Sequence, residues 1–304
     1  MENSASLQAL LASAIDYAGL FPPTKLALEP ALRNQAAYLR DQDAGMLGAF
    51  VLPIAKFEEA SGLLSKFSGN HRLRVSALGA KTENATHFMD ALQKGATAIH
   101  EFNTRQSRSA VVTQIEVALP SQPGVHLADA NALLADLNLA TFWEAAPDEA
   151  ERTIGFLAER APSFDTFGFK LRTGGVIASA FPSSIQIARA LVAAVSQQVP
   201  IKFTAGLHHP IRQFHPSVQA KMHGFVNVLG AGVMAAEHDW DVQQTARMLE
   251  DEDPSGFSFD EDGFTWTTWQ IPTERITVHR KIVTSFGSCS FDEPREDLRA
   301  LQLL

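Results

Sequence analysis

Two short segments, FGFKLRTGG at 167–175 and IKFTAGLHHP at 201–210, constrain this chain more than any others, because each alternates apolar residues with basic or small ones and then breaks at glycine. Alternation with a period of two is the mark of a strand with unlike faces. Phe167, Phe169 and Leu171 share one face of the first segment, and Ile201, Phe203 and Ala205 share one face of the second. Lys170, Arg172, Lys202 and Thr204 fall on the other. The intervening SSIQIARALVAAVSQQ reads as a helix, so the strands are expected to be parallel neighbours with helices on their apolar side. That leaves Lys170 and Lys202 side by side in an interior, where a lysine needs partners or a task. Two ammonium groups so placed repel each other, and one is expected to be neutral near pH 7.

The rest of the chain repeats the same rhythm. Strands are predicted at Met46 to Leu52, Leu73 to Leu78, Thr97 to Phe102, Thr113 to Leu119, Thr141 to Ala145, Phe167 to Arg172, Ile201 to Ala205 and Phe225 to Leu229. Their spacing, mostly roughly 23 to 34 residues, suits one strand plus a crossover helix and implies a parallel sheet. Eight such units in a chain of 304 residues most economically close into a single (β/α)8 (TIM) barrel of the α/β class. The expected organisation is an N-terminal helical extension over 1–45, the barrel over 46–250, and a C-terminal segment over 251–304 packed on it as an appendage or lid. The weak point is the short gap TRQSRSAVV between the third and fourth strands, and an open doubly wound sheet is the alternative.

Net charge of -9 argues against nucleic acid or an anionic membrane as a partner. The single cysteine, Cys289, rules out an intramolecular disulfide and suits a reducing cytoplasm. MENSASLQALLASAIDYAGL lacks a basic start and carries Asp16 in its apolar run, so it does not read as a signal peptide. No membrane-spanning stretch is expected. GxGxxG, GxxxxGK[ST], GxSxG and HExxH are all missing from the sequence.

On the barrel reading the inward face holds Glu101, Gln114, Glu116, Glu144, Lys170, Arg172, Lys202, Thr204 and Asn227. That set is too polar for interior layers, which Val, Ile and Leu usually fill. Ion pairing that only fixes register is the structural alternative. His208 and His209 follow the seventh strand directly, and one of them, His208, is a candidate for moving protons. Gly174, Gly175, Gly206 and Gly230 could let backbone N–H groups approach an anion, or could be turn residues only. For Asp16, capping, a lid contact and catalysis all remain open.

DYAGLFPP, FKLRTGG, KFTAGLHHP, HGFVNV and FGSCSFDEP together resemble an uncharacterised family of bacterial and plant proteins, a resemblance that spans nearly the whole chain and implies no particular activity. Separately, Lys170 and Lys202 on a sixth and seventh strand are similar to the lysine pair of class I aldolases of the deoxyribose-phosphate type. That similarity implies a Schiff base on Lys170, with Lys202 depressing its pKa. Glu101, Glu116 and Glu144 are in turn similar to the carboxylates of the enolase superfamily, which implies Mg²⁺ held by the three.

The expectation is therefore a cytoplasmic enzyme, a lyase or isomerase of carbanion chemistry acting on a small anionic carbonyl compound. Lys170, Lys202, Glu144 and His208 would be catalytic. Arg172, Thr204, Gly174, Gly175, Gly206, Asn227 and Gly230 would hold the substrate, with no cofactor. An enolase-like Mg²⁺-dependent lyase or isomerase and a non-catalytic metabolite-binding barrel are the alternatives. Homo-oligomer formation is left open.

Overall fold

The computed structural model describes residues 4–120, 127–160 and 167–304. Among these the strands in chain order are β1 (Ile15–Tyr17), β2 (Leu47–Pro53), β3 (Leu73–Leu78), β4 (Ala110–Ala118), β5 (Ala140–Glu144), β6 (Phe167–Arg172), β7 (Ile201–Thr204), β8 (Gln213–His215), β9 (Ala220–Met222), β10 (Phe257–Phe259), β11 (Gly263–Trp266), β12 (Trp269–Pro272) and β13 (Val283–Ser288). The helices are α1 (Ala5–Leu11), α2 (Leu28–Tyr38), α3 (Phe57–Ser61), α4 (Ala85–Arg105), α5 (Leu127–Ala135), α6 (Ala150–Arg160), α7 (Ser184–Ser196), α8 (Phe225–His238), α9 (Val242–Glu250), α10 (Thr273–His279) and α11 (Asp292–Ala300). Eight strands close into a parallel barrel in the order β1-β13-β7-β6-β5-β4-β3-β2, with helices between them. The chain is a (β/α)8 barrel, and Lys170 pairs with Lys202 in register, as the alternation requires.

Six of the eight expected strands are staves of this barrel, and two are helices. Thr97 to Phe102 lies inside α4, whose buried Phe88, Leu92, Ala96, Ile99 and Phe102 recur at helical spacing behind an Asn84 cap. The short gap that weakened the strand count is thus a helix-to-strand turn. Phe225 to Leu229 opens α8, where every residue from Phe225 to Ala235 is buried. A helix that is apolar all round carries no period to distinguish it from a buried strand.

The two remaining staves come from the chain ends. β1 pairs with β13 and with β2, so residues 1–45 are not a helical extension, and 251–304 is not simply an appendage. Only the middle of that last segment stands apart, as the antiparallel sheet β10-β11-β12. The closing seam is tied by Arg280, whose half-buried guanidinium donates to the carbonyls of Leu10, Ala12, Val283 and Thr284. One arginine thereby satisfies carbonyls at the end of α1 and the start of β13.

Two glycines make the interior possible. The Phe142 ring leans over β6 at Gly168, where a Cβ would sit 2.7 Å from that ring. At Gly48, in a register shift between β1 and β2, a Cβ would collide with the Asp16 carboxylate. On the outside, the segment Ala178–Ser196 is long and apolar enough by composition to cross a membrane. Here it is the core helix α7, packed against α6, α8 and α9, with Ile187, Ala188, Leu191 and Ala194 buried.

A chain ending at Ile282 would lose β13 together with the fully buried Phe286, Phe291 and Leu298. Losing three such side chains at about 3 kcal/mol or more each approaches or exceeds the whole stability of a typical domain. The truncated protein is expected to lack a cooperative thermal transition by circular dichroism. A retained cooperative transition would mean that the barrel closes without its last strand.

Candidate active site

Six charged side chains form a continuous chain across the barrel interior. Lys202 Nζ donates to Asp16 Oδ2 at 2.7 Å and to Glu116 Oε1 at 2.6 Å. Lys170 Nζ donates to Glu116 Oε2 and to Glu144 Oε2, both at 2.7 Å. Arg172 Nε lies 3.4 Å from Glu144 Oε1 and completes the series. The signs alternate throughout, from Asp16 at the closed end to Arg172 at the mouth.

Each member is placed by its strand. Glu144 is in register with Lys170, and Lys170 with Lys202, so one layer of the barrel brings β5, β6 and β7 together. Glu116 reaches across from β4, where Ser76 Oγ on β3 also donates to its Oε1 at 2.5 Å. Asp16 accepts from the Ala49 amide, Gln114 Nε2 and Ser285 Oγ besides Lys202. The shift at Gly48 aims that amide inward. Below the layer, the Phe142 ring lies 5.3 Å from Lys202 Nζ and closes the floor.

Burial would favour the neutral forms of Glu116, Glu144 and Lys202, but for these three the counter-charges win. The Glu116 carboxyl is desolvated, yet Lys170 and Lys202 hold it well below the usual carboxylate range. Glu144 is lowered in the same way, against its burial, by Lys170 and then Arg172. Burial would lower Lys202, but Asp16 and Glu116 raise it above its ordinary value. The expected neutral lysine presupposed two bare ammonium groups. Interleaved carboxylates stand between the two ammonium groups, so the lysines do not face each other bare.

Lys170 is 3 % exposed and Lys202 1 %, whereas the Glu144 side chain is 18 % exposed and that of Arg172 50 %. Both mouth residues line a cavity of about 630 Å³ together with Lys81, Thr82, Glu83 and Pro147. Solvent and small molecules therefore meet the chain of charges at its Glu144–Arg172 end.

Other expected residues lie elsewhere. Glu101 sits on the exposed side of α4 and pairs with Arg105, so the carboxylate triad with Glu116 and Glu144 does not form. Among the described residues no cluster of three metal-ligating side chains is found. Asn227, on α8, accepts from the Arg212 amide and donates to the Met248 and Asp251 carbonyls, an internal tie and not a substrate contact. Gly230 lies within α8, where a Cβ would strike Met248 and Phe264. It is a packing residue. Gly174 and Gly206 abut each other and Phe181, with Gly206 at φ +78, so close packing of two mouth loops explains both. Gly175 packs on Ala180, and Thr204 faces Gly287 near the mouth. His208 is bonded to Glu293 and Cys289, apart from the lysines.

Asp16, Ser76 and Ser285 complete the site, and sequence reasoning left Asp16 undecided and missed the serines. Asp16 had a signal, a lone acid between apolar residues, but a three-residue strand is too short to show alternation.

Stability should follow the signs of these shifts. Carboxyl groups depressed in the folded state contribute fully above their unfolded value of 4.5, and that contribution is lost as pH falls below it through the folded value. Lys202, raised above 10.5, contributes fully below that value and loses its contribution as pH rises through the folded one. The part of the stability that these three groups contribute is therefore expected to form a plateau between pH 4.5 and 10.5 with falls on both sides, read as the difference in unfolding free energy between the wild type and Glu116→Gln at each pH. That difference should stand at about 3–5 kcal/mol on the plateau, because the substitution leaves two buried ammonium groups short of a partner. A difference near zero there would contradict the shared pairing.

No family model matches the chain. No curated protein sequence matches it either. Among solved structures it is similar to a Toxoplasma gondii protein assigned as a deoxyribose-phosphate aldolase, at 11 % identity and a TM-score of 0.39, over 98 % of this chain and 93 % of that one. It is also similar to a point variant of FabK from Thermotoga maritima, at 11 % identity and a TM-score of 0.39, over 99 % and 98 % of the two chains. The barrel itself is established by the strand pairing described above.

Proposed function

We propose that this chain is a lyase or isomerase of carbanion chemistry that engages a small anionic carbonyl compound through Lys170. The observation that carries the reading is the asymmetry of the two carboxylates on that lysine. Glu116 is sealed in the interior, and Glu144 opens on the cavity. Only Glu144 offers Lys170 a proton acceptor in exchange with solvent.

In this reading a carbonyl compound enters the cavity and its anionic group draws Arg172 away from Glu144. Lys170 passes a proton to Glu144, and its free amine attacks the carbonyl carbon. Water leaves, and the iminium so formed withdraws electrons from the adjacent carbon–carbon or carbon–hydrogen bond. Glu144, having given its proton to the departing water, takes the proton that is released, and hydrolysis returns the lysine. Lys202 keeps its charge throughout and fixes Glu116 in place, so the interior stays balanced while Lys170 changes state.

A second reading has an observation of its own. Both oxygens of Glu116 and both of Asp16 already have donors, as an ion-paired core would require in a barrel that binds a metabolite without turning it over.

Borohydride reduction in the presence of small keto acids and aldehydes separates the two. Peptide mapping is expected to place the reduced adduct on Lys170, and Lys170→Met should abolish it. Adducts scattered over exposed lysines such as Lys56 would leave the second reading standing. Arg172→Lys should reduce trapping of keto acids by about tenfold and leave neutral aldehydes unaffected, since the planar fork is lost and the charge kept. Equal loss for both substrate types would remove the anion clamp.

A further inference from the structure

We propose that Cys289 and His208 form a second reactive centre at the barrel mouth, a thiolate–imidazolium pair that takes a small peroxide-class oxidant. Parts of three sequence motifs that the lysine chemistry does not use meet there. KFTAGLHHP supplies His208 after β7, FGSCSFDEP supplies Cys289 one residue past β13 and Glu293 on α11, and the loop after β1 supplies Thr24 just beyond DYAGLFPP.

The groups around the sulfur are donors. His208 Nδ1 lies 4.0 Å from Cys289 Sγ and 3.0 Å from Glu293 Oε2. Thr24 donates to the sulfur from both its hydroxyl and its backbone amide. Two donors from Thr24, with the His208 Nδ1–H shared between the sulfur and Glu293, suit an anion better than a thiol. The titration of the pair agrees with the geometry. Burial would raise the Cys289 thiol, but His208 and Thr24 lower it. Burial would lower His208, but Cys289 and Glu293 raise it to about 9. Tyr17 also faces the thiol, while His209, in the loop after β7, and His215, at the end of β8, face Glu293.

Cys289 is 5 % exposed, so a compact oxidant can reach it and a bulky disulfide cannot. The thiolate attacks one peroxide oxygen and the O–O bond breaks. The departing oxygen leaves as water with the proton of His208, giving a sulfenic acid beside a neutral imidazole. Sulfur loses two electrons and the peroxide gains them. The new oxygen falls within reach of His208 and Thr24, and the chain has no second cysteine to resolve it.

A single cysteine makes the test unambiguous, because every thiol signal comes from one site. The pH dependence of iodoacetamide alkylation in the folded protein should have its midpoint below that of the same chain unfolded in urea, whose thiol titrates at about 8.5. Hydrogen peroxide should give a dimedone-trappable sulfenic acid on Cys289. His208→Gln should return the midpoint to the unfolded value and slow oxidation at pH 6.5 by about tenfold or more. Glu293→Gln should move the midpoint the same way by a smaller amount, which serves if His208→Gln does not fold. A folded-state midpoint at or above the unfolded one, no sulfenic acid, or a midpoint indifferent to both substitutions would overturn the proposal.

Discussion

Glu116 gives one oxygen to each of two lysines, and the arrangement of the barrel interior depends on that division. A carboxylate is the only side chain that can accept from two ammonium groups on neighbouring strands and remain a single charge. With Glu116 in place, Asp16 and Glu144 need only complete each end, and three carboxylates face three cations. Remove the bridge and both lysines become costly. The interior is therefore better understood as one object than as a set of pairs, and its parts should not contribute additively.

This also explains why the charges sit near one end of the barrel. The deep end of the chain is closed by Phe142 below and by four donors around Asp16, so nothing there can exchange with solvent. The Glu144–Arg172 end is open to the cavity. A row of charges insulated at one terminus and wet at the other can change its protonation only from the mouth.

Much of this was legible in the sequence because the residues concerned lie on strands long enough to alternate. Lys170, Arg172, Lys202, Glu116 and Glu144 were all placed inward by parity alone, and the barrel followed from the rhythm of strands and helices. The failures share a cause. Glu101 and Asn227 were read inward from apolar stretches whose period was helical or absent, in α4 and α8. Asp16 and Ser285 lie on the stave at each chain end, one only three residues long and the other hidden in a turn-rich tail. Their partners are remote in sequence, and no local pattern announces a pairing of that range. Cys289 and Glu293 were visible as letters, but their meeting with His208 is a product of closure.

Closure by the first and last staves has a consequence for how the protein is made. Asp16 and Ser285, which hydrogen-bond in the finished barrel, are 269 residues apart. During synthesis the lysine strands emerge with all three carboxylates already made, while β1 waits for its second partner, β13, which emerges after every other stave. Until then β1 and β7 are unpaired edges, and Lys202 lacks the setting that fixes Asp16 beside it. The nascent chain must keep an open, sticky sheet out of trouble until β13 has emerged, and the charged centre becomes whole only then.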